Sequence, residues 1–481
     1  MRKYLSRKIH VSWLVAWFSA AFIIGVASAH WLRVPIHTIW IIVATAMVIV
    51  AISKKQTGTA LLVITAAFIF GLWRGNLVQS QLSGYRMYYG YTINLTGKIS
   101  EDAEIGTNGD QRLKLIDCKI NGISLAGQAW VSTYSKTQLK RSDSIVVHGK
   151  LKTGFGSFPA SMNYAVITSV TYNHSDYGLQ IRDWFAASVK RAIPEPQSSL
   201  AVGFLVGQHS SLPHDLDNQL KVVGLTHIIV ASGYNLTILV VFSRRLMLGL
   251  SKFMATFFAS SMIFGFVAIT GLSPSMSRAA LVSGLSLLAW YYGRKIHPLV
   301  LLPFAAAITV ALNPTYLWGD IGWYLSFVSF AGVLLLAPLV HQFFWGEKQP
   351  GALKEIFIAT LCAQLATLPI IIFTFGHYSV YALAANLLVL PLIPFTMILT
   401  FFAGLLGIFL PHFSILFGLP ATIILRYMTS VISYIANLPG AQGELSISAL
   451  IVTLAYLILA GIAYILWRKT HYNFRKEKIA D

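Results

Sequence analysis

The sequence predicts a mainly α-helical protein that crosses a membrane about 10–12 times and carries an inserted, small all-β domain of the OB type. Three observations support this fold class. Of the residues, 56% are hydrophobic and only 11% are charged, against about 25% charged in soluble domains. Several apolar windows exceed the roughly 18 residues that a membrane-spanning helix needs. Between residues 78 and 178 these windows give way to short alternating segments.

The excess of basic residues follows the predicted topology. The formal net charge is +19, from 36 Lys and Arg against 17 Asp and Glu. Basic pairs recur beside the apolar runs, at Arg2-Lys3, Arg7-Lys8, Lys54-Lys55, Arg244-Arg245, Arg294-Lys295 and Arg468-Lys469. Such pairs concentrate in cytoplasmic loops, so both termini are predicted in the cytoplasm and residues 78–178 outside it. The charge by itself therefore does not indicate nucleic-acid binding.

Residues 1–77 are predicted to form N-terminal transmembrane helices. The basic start and the apolar run 11–29 resemble a signal peptide, but the runs 36–52 and 59–77 follow too closely for cleavage. The first run is therefore interpreted as a retained span. The alternative is that the second and third runs re-enter the membrane from one side.

Residues 78–178 are predicted to form the OB-like extracytoplasmic domain. In segment 92–99 the apolar residues Ile93, Leu95 and Ile99 share one strand face. Segments 112–120 and 123–134 are joined by Asn121-Gly122, a strong hairpin signal. Segments 144–152 and 163–170 supply two more strands. Because the basic excess here is weak and the aromatic residues suit a core, a DNA-binding barrel and an interaction module both stay open.

Residues 179–224 are predicted to form interfacial amphipathic helices. In segment 180–192, apolar residues occupy one side of the predicted helix and basic residues the other. The apolar residues are Ile181, Trp184, Phe185 and Val189, and the basic residues are Arg182, Lys190 and Arg191. This pattern is typical of a helix lying along the membrane surface. Two short helices are predicted over 198–207 and 213–223.

Residues 225–467 are predicted to form a transmembrane bundle, followed by a basic cytoplasmic tail at 468–481. The predicted spans are 225–243, 253–270, 278–293, 297–313, 322–345, 356–373, 380–410, 415–436 and 446–467. Because of Pro391 and Pro394, segment 380–410 is either one bent helix or two helices. Segment 415–436 either spans the membrane or lies flat along its surface. Helices broken by proline, as also at Pro369, often line a cavity because their freed carbonyls need partners.

The start of this bundle carries polar residues in an apolar run. At about 100° per residue, Tyr234, His227, Asn235 and Ser232 fall within an arc of roughly 160° on a helix. Such groups are costly in hydrocarbon, so the arc should face inward. It serves either as packing between helices, with Gly233 allowing close approach, or as the wall of a pathway.

Four further polar residues belong to predicted spans or to their ends. Arg278 and Asp320 each stand at the start of a span, where a snorkelling anchor and a helix cap are the structural alternatives to a functional role. Gln364 and Asn386 are amides within apolar runs, where helix packing competes with a pathway.

The residues exclude several chemistries. His227, Ser232 and Asp320 are the residue types of a hydrolase, but no Gly-x-Ser-x-Gly elbow, His-Glu-x-x-His pattern or Walker loop occurs. Cys118 and Cys362 lack metal-site spacing and fall in different kinds of segment, so they are not expected to pair. The sequence predicts no enzyme activity, metal or cofactor.

Several motifs resemble the ComEC family of competence membrane channels. Residues 224–235 are similar to the family's Gly-x-x-His-x-x-x-x-Ser-Gly-x-[His/Asn] signature, and 205–213 to its Gly-[acid/amide]-x-x-x-Leu-Pro run. The later matches are the Ser-Arg-Ala element at 277–281 and the Asn-Pro…Asp-x-Gly-x-x-Leu-Ser-Phe element at 313–327, then segments 367–369, 375–376 and 386–391. The resemblance covers about residues 60–410.

This resemblance implies a channel that passes single-stranded DNA across the cytoplasmic (inner) membrane during natural transformation. It implies single-stranded DNA and membrane lipid as partners, with a cytoplasmic DNA-translocating ATPase and an extracytoplasmic DNA receptor. The candidates for the DNA path are His227, Ser232, Gly233, Asn235, Arg278, Asp320, Gln364 and Asn386. The alternatives are a small-solute or lipid-linked transporter and a non-transporting envelope scaffold.

The chain departs from the family pattern in three ways. Family members often continue into a metallo-β-lactamase-like domain, whereas this chain ends at Asp481 without its His-x-His-x-Asp-His motif. The resemblance therefore supplies no residues here for degrading a DNA strand. Tyr324 stands where the family has Gln, and the lone Cys118 leaves no disulfide within the barrel.

Overall fold

A computed structural model describes most of the chain. The described residues are 10–32, 38–54, 59–106, 109–135, 137, 139–208, 212–229, 233–247, 249, 251–271, 273–293, 297–346, 351–472 and 474. The chain forms two compact units. The first contains Met1–Ser175 and Ile296–Tyr324, and the second contains Asp176–Lys295 and Leu325–Asp481.

The described residues are mainly helical. The helices are α1 Val11–Ser28, α2 Thr38–Lys54, α3 Ala60–Leu82, α4 Tyr177–Ala192, α5 Gln197–Val206, α6 His214–Val223, α7 Thr226–Ile229, α8 Gly233–Leu246, α9 Lys252–Thr270, α10 Pro274–Tyr291, α11 Pro298–Leu312, α12 Ile321–Ala331, α13 Ala337–Trp345, α14 Ala352–Phe375, α15 Ala382–Val389, α16 Ile393–Phe409, α17 Ser414–Ala436 and α18 Ala449–Thr470. A π-helical turn, Gly332–Leu336, joins α12 to α13.

The chain is a multi-pass membrane protein, as predicted. Within the described ranges, eight helical stretches are long and apolar enough to cross a bilayer. They are Val11–Ser28, Ala60–Tyr88, Lys252–Thr270, Ile321–Trp345, Leu353–Phe375, Ala382–Phe409, Pro411–Ala436 and Ala449–Thr470. The predicted spans 36–52, 225–243, 278–293 and 297–313 coincide with helices that are shorter or less apolar.

The small β domain is a closed barrel, which confirms the OB-like prediction. The strands are β1 Thr92–Ile99, β2 Glu104–Ile105, β3 Gln111–Ile120, β4 Ile123–Ser124, β5 Ala129–Thr133, β6 Ser144–Thr153, β7 Ala160–Met162 and β8 Val166–Thr171; β9 His377–Ser379 and β10 Gln442–Glu444 pair separately. The order β1-β3-β5-β7-β6 closes because β6 also pairs with β1. Alternate residues such as Leu95, Leu113 and Val131 fill the interior.

The hairpin predicted at Asn121-Gly122 is present, with Ile120 opposite Ile123 and both turn residues at positive φ. One predicted strand is divided in two, and another begins later than predicted. Segment 123–134 is interrupted near Gly127, and the strand in 163–170 begins only after Tyr164. Both residues have positive φ, which lies outside the extended region. The pattern of apolar residues alone did not predict these breaks.

Helices α1 and α3 pack through small residues. A Cβ atom on Gly71 would lie 2.2 Å from the carbonyl oxygen of Phe22, and one on Gly25 would lie 2.3 Å from that of Phe68. One turn further along α3, Gly75 faces Ala29. Because small residues let two backbones approach, these glycines set the distance between the helices.

In the second unit, all ten residues of α5 are buried. Helices α4, α16 and α17 contribute to the same apolar core.

Helix α4 differs in part from its predicted pattern: Arg182, expected on the basic side, is buried beside Asp183, while Ile181 and Trp184 are exposed. The location of α4 at the membrane surface stays a prediction.

The helix-breaking prolines occupy different environments. Pro391 lies in a short 3-10 turn, Leu390–Leu392, that joins α15 directly to α16, and Pro394 lies in the first turn of α16. The stretch 380–410 is thus two helices connected without a loop. Pro369 stays inside α14, where it leaves a carbonyl one turn earlier without its helical donor.

We predict that Gly71→Ala destabilises the protein by about 1–3 kcal/mol, because the new methyl group meets backbone rather than a movable side chain. The control is Gly461→Ala in α18, where a Cβ has open space. It should be neutral or stabilising, since alanine favours a helix. Thermal unfolding of the purified protein in detergent compares the variants, and equal melting temperatures would contradict the packing described above.

Candidate functional site

Arg278 forms the centre of a cluster in the second unit. Helix α10 begins after Ser273, whose Oγ accepts a hydrogen bond from the Met276 amide at 3.2 Å, and this cap fixes the turn that carries Arg278. The Arg278 Nε donates to the Ser326 Oγ at 2.6 Å. Its guanidinium carbon lies 5.2 Å from the centre of the Phe330 ring. Among the described residues, Arg278 has no carboxylate partner.

Gly233 completes this cluster. A Cβ atom at Gly233 would lie 2.7 Å from Arg278 Nη2, so any larger residue would displace the guanidinium. Gly233 belongs to α8. We call Gly233, Arg278, Ser326 and Phe330 the Arg278 cluster.

The polar arc predicted over residues 226–238 is divided between two environments. Asn235 is fully buried, and its Nδ2 donates to the carbonyl oxygens of Phe204 at 3.0 Å and Ile228 at 3.4 Å. His227 is exposed and its Nδ1 lies 3.1 Å from the carbonyl oxygen of Gly224. Ser232 lies outside the described residues. Asn235 therefore joins helices together, whereas His227 is available at a surface.

Asp320 lies in the first unit and caps a helix. Its Oδ1 accepts a hydrogen bond from the Trp323 amide at 2.8 Å, at the start of α12. Burial raises the pKa of the Asp320 carboxyl, and the Trp323 amide and the Lys114 ammonium on β3 oppose this rise. The adjacent Gly319 meets the barrel loop so closely that a Cβ there would lie 2.6 Å from Gly156 Cα. Asp320 thus stabilises a helix start beside the barrel.

Of the two amides predicted inside the bundle, Asn386 is buried and Gln364 is half-buried. The Gln364 Oε1 in α14 and the Asn386 Oδ1 in α15 accept no hydrogen bond from the described residues. No hydrogen bond in the described part of the chain joins either residue to Arg278. An unsatisfied buried acceptor costs about 1–3 kcal/mol, so these positions suit contact with water or a ligand.

Three further candidates for the functional site were not predicted from the sequence. Ser326 and Phe330 lie one helical turn apart on α12 and both contact Arg278. Ser326 belongs to a matched motif, and its hydroxyl within an apolar run was the signal that could have identified it. Arg426 is exposed on α17 within the candidate span Pro411–Ala436. An ionisable residue inside a span is by default a candidate for function, and this arginine was visible in the sequence.

These features define a multi-pass membrane protein with a small barrel and a cationic cluster inside its bundle. Residues 204–470, more than half of the chain, match the family described as competence protein. The chain belongs to this family, which confirms the resemblance to ComEC proteins.

One curated relative is the ComE operon protein 3 of Bacillus subtilis (strain 168). It is 25% identical over 231 residues, which cover 47% of this chain and 29% of the relative. The match thus spans less than a third of the relative's length. No solved structure matches this chain significantly.

We predict that Asn235→Ala lowers stability by about 1–3 kcal/mol, because it removes the donor to two buried carbonyls. The matched control is Asn437→Ala; Asn437 is exposed and its Nδ2 donates to the Ser433 carbonyl oxygen at 2.8 Å. Thermal shift in detergent and protein abundance in cells measure the effect. A loss of stability no larger than that of Asn437→Ala would contradict a structural role for Asn235.

Proposed function

We propose that this protein is a channel that passes single-stranded DNA across the cytoplasmic membrane during natural transformation. The observation that carries this proposal is the Arg278 cluster, which brings together residues from three separately matched family motifs. Gly233 comes from the first, Arg278 from the second and Ser326 from the third. Family membership supports the same function.

The chemistry of the cluster suits a DNA strand. A phosphate diester needs a positive or hydrogen-bonding wall, and Arg278 offers guanidinium donors that no carboxylate of the described residues neutralises. The Phe330 ring provides a surface on which a base can stack without sequence preference. Passage requires no bond to be made or broken, so we propose no enzymatic step.

Other polar groups extend this route in our proposal. His227 is exposed, and Gln364 and Asn386 each present a covered amide oxygen. Arg426 adds a cation within a candidate span. Pro369 disturbs helical hydrogen bonding inside α14, and Pro391 and Pro394 lie where α15 passes into α16 through a 3-10 turn. Irregular backbone at such places can line a cavity. Asp320 and Asn235 serve mainly to hold the surrounding helices.

We further propose that both termini lie in the cytoplasm and that the barrel at residues 78–178 lies outside it. A strand delivered by an extracytoplasmic receptor would enter from the barrel side. A cytoplasmic DNA-translocating ATPase would pull it inward, because the chain contains no Walker loop of its own.

We predict that Arg278→Gln reduces transformation by at least about tenfold, because one charge-assisted phosphate contact contributes about 1.5–3 kcal/mol. Arg278→Lys, which keeps the charge but loses the planar fork, should retain part of the activity. Transformants per viable cell are counted in the natural host, with protein abundance measured by immunoblot.

The matched control is Arg191→Gln, which removes an exposed arginine outside the Arg278 cluster and should leave transformation unchanged. Normal transformation by Arg278→Gln at normal abundance would contradict the proposal. Equal losses in Arg278→Gln and Arg191→Gln would show that only the total charge matters.

A further inference from the structure

A small cavity lies in the first unit, where helix ends meet the barrel. Its volume is about 180 Å³. The walls come from the turn after α1, the end of α3 with the 3-10 helix Ser83–Tyr88, the 3-10 helix Pro314–Trp318 and barrel residues 156–159. The side chains that matter are His30, Gln79, Arg86, Tyr89, Phe158 and Trp318. We call this space the barrel-base cavity.

Hydrogen bonds fix the walls of the barrel-base cavity. The Tyr89 hydroxyl donates to the Pro159 carbonyl oxygen at 2.7 Å, which ties the 3-10 helix to the barrel. The Trp318 Nε1 donates to the Val26 carbonyl oxygen at 3.1 Å, and its ring centre lies 5.8 Å from that of His30. These bonds use the polar atoms of Tyr89 and Trp318, so both residues offer the cavity mainly ring surface.

The remaining polar groups favour an anion. The Gln79 Nε2 lies 3.2 Å from the His30 Nδ1; if the amide donates there, the His30 Nε2 carries the proton and can donate to a ligand. The Arg86 guanidinium forms no ion pair within the described part of the chain. None of the residues that line the cavity is acidic. A concave site with an arginine fork, an imidazole donor and no carboxylate is suited to a phosphate group.

The position of the cavity indicates which phosphate it receives. The candidate spans Val11–Ser28 and Ala60–Tyr88 both end at it, so it lies at the height where the hydrocarbon core meets the headgroups. Aromatic residues concentrate at this level of a membrane. Beside the lining residues, Trp31 and Met87 are 77% and 74% exposed, which gives acyl chains an apolar surface to contact.

We propose that the barrel-base cavity binds the phosphodiester of an anionic phospholipid from the leaflet nearest the barrel. Arg86 and His30 hold the phosphate, and Trp318 and Tyr89 flank the glycerol. The bound lipid fills the space between the barrel and the helix ends. DNA offers the same phosphodiester, but a site at the ends of two membrane spans meets lipid headgroups first.

The test uses the full-length protein in detergent with phosphatidylglycerol or phosphatidylcholine added, and native mass spectrometry measures the lipid retained. Wild type should retain one phosphatidylglycerol more strongly than phosphatidylcholine. Arg86→Gln should reduce that retention by about tenfold, because it removes a charge-assisted contact. Arg86→Lys should retain part of it. Lys119→Gln, which removes an exposed barrel cation outside the cavity, should leave it unchanged.

Unchanged phosphatidylglycerol retention in Arg86→Gln would overturn the proposal, as would an equal loss in Lys119→Gln. A second arm adds a short oligothymidylate. If Arg86→Gln weakened oligonucleotide binding while lipid retention stayed at the wild-type level, the cavity would be a nucleic-acid site and the lipid assignment would be wrong. Matching thermal unfolding of the variants establishes that lost retention does not come from misfolding.

Discussion

The arrangement of the second unit depends on how one buried helix end is satisfied. Helix α5 is buried along its whole length, and the helix itself supplies no donors for the carbonyl groups that follow Gly203 at its end. In an apolar interior an unpaired carbonyl is costly, and the Asn235 amide donates to that of Phe204. The same amide reaches Ile228, so one side chain joins α5, α7 and α8. Gly233 lies two residues before Asn235, and this bond therefore also positions the start of α8 beside Arg278.

This dependence links helix packing to the proposed contact with DNA. Asn235 anchors α8, Gly233 gives Arg278 room, and Arg278 donates to Ser326 on α12. A larger residue at 233 or a lost amide at 235 would displace the guanidinium without changing any charge. Asn235 thus serves helix packing, whereas its neighbour Gly233 adjoins the arginine that we propose contacts DNA.

Much of the fold could be predicted from the sequence, because its signals are local. Apolar runs mark the long spans, and Asn121-Gly122 marks a hairpin whose positive φ angles few other residues adopt. The break at Tyr164 could not be predicted, since a tyrosine with positive φ reflects the closed barrel rather than its own preference. The burial of Arg182 likewise depends on helices distant in sequence.

For the candidate site, the sequence indicated single residues but not their grouping. Gly233 and Arg278 were predicted separately, and only the folded chain adds Ser326 and Phe330 to them. The cap formed by Asp320 was among the alternatives that its position at a span start suggested. His227 and Asn235 were placed on one arc, yet one is exposed and the other buried, because neighbouring helices decide which part of a helix is covered.

The most direct measurement of the central claim is photocrosslinking during DNA uptake. A photoreactive phenylalanine analogue replaces Phe330 in living competent cells, and the control places it at Phe264, which is 75% exposed on α9. A channel that passes DNA along the Arg278 cluster predicts crosslinks between incoming labelled DNA and the protein at position 330, and few at 264. Uptake at the normal rate with no crosslink at 330, or with equal crosslinks at both positions, would contradict it.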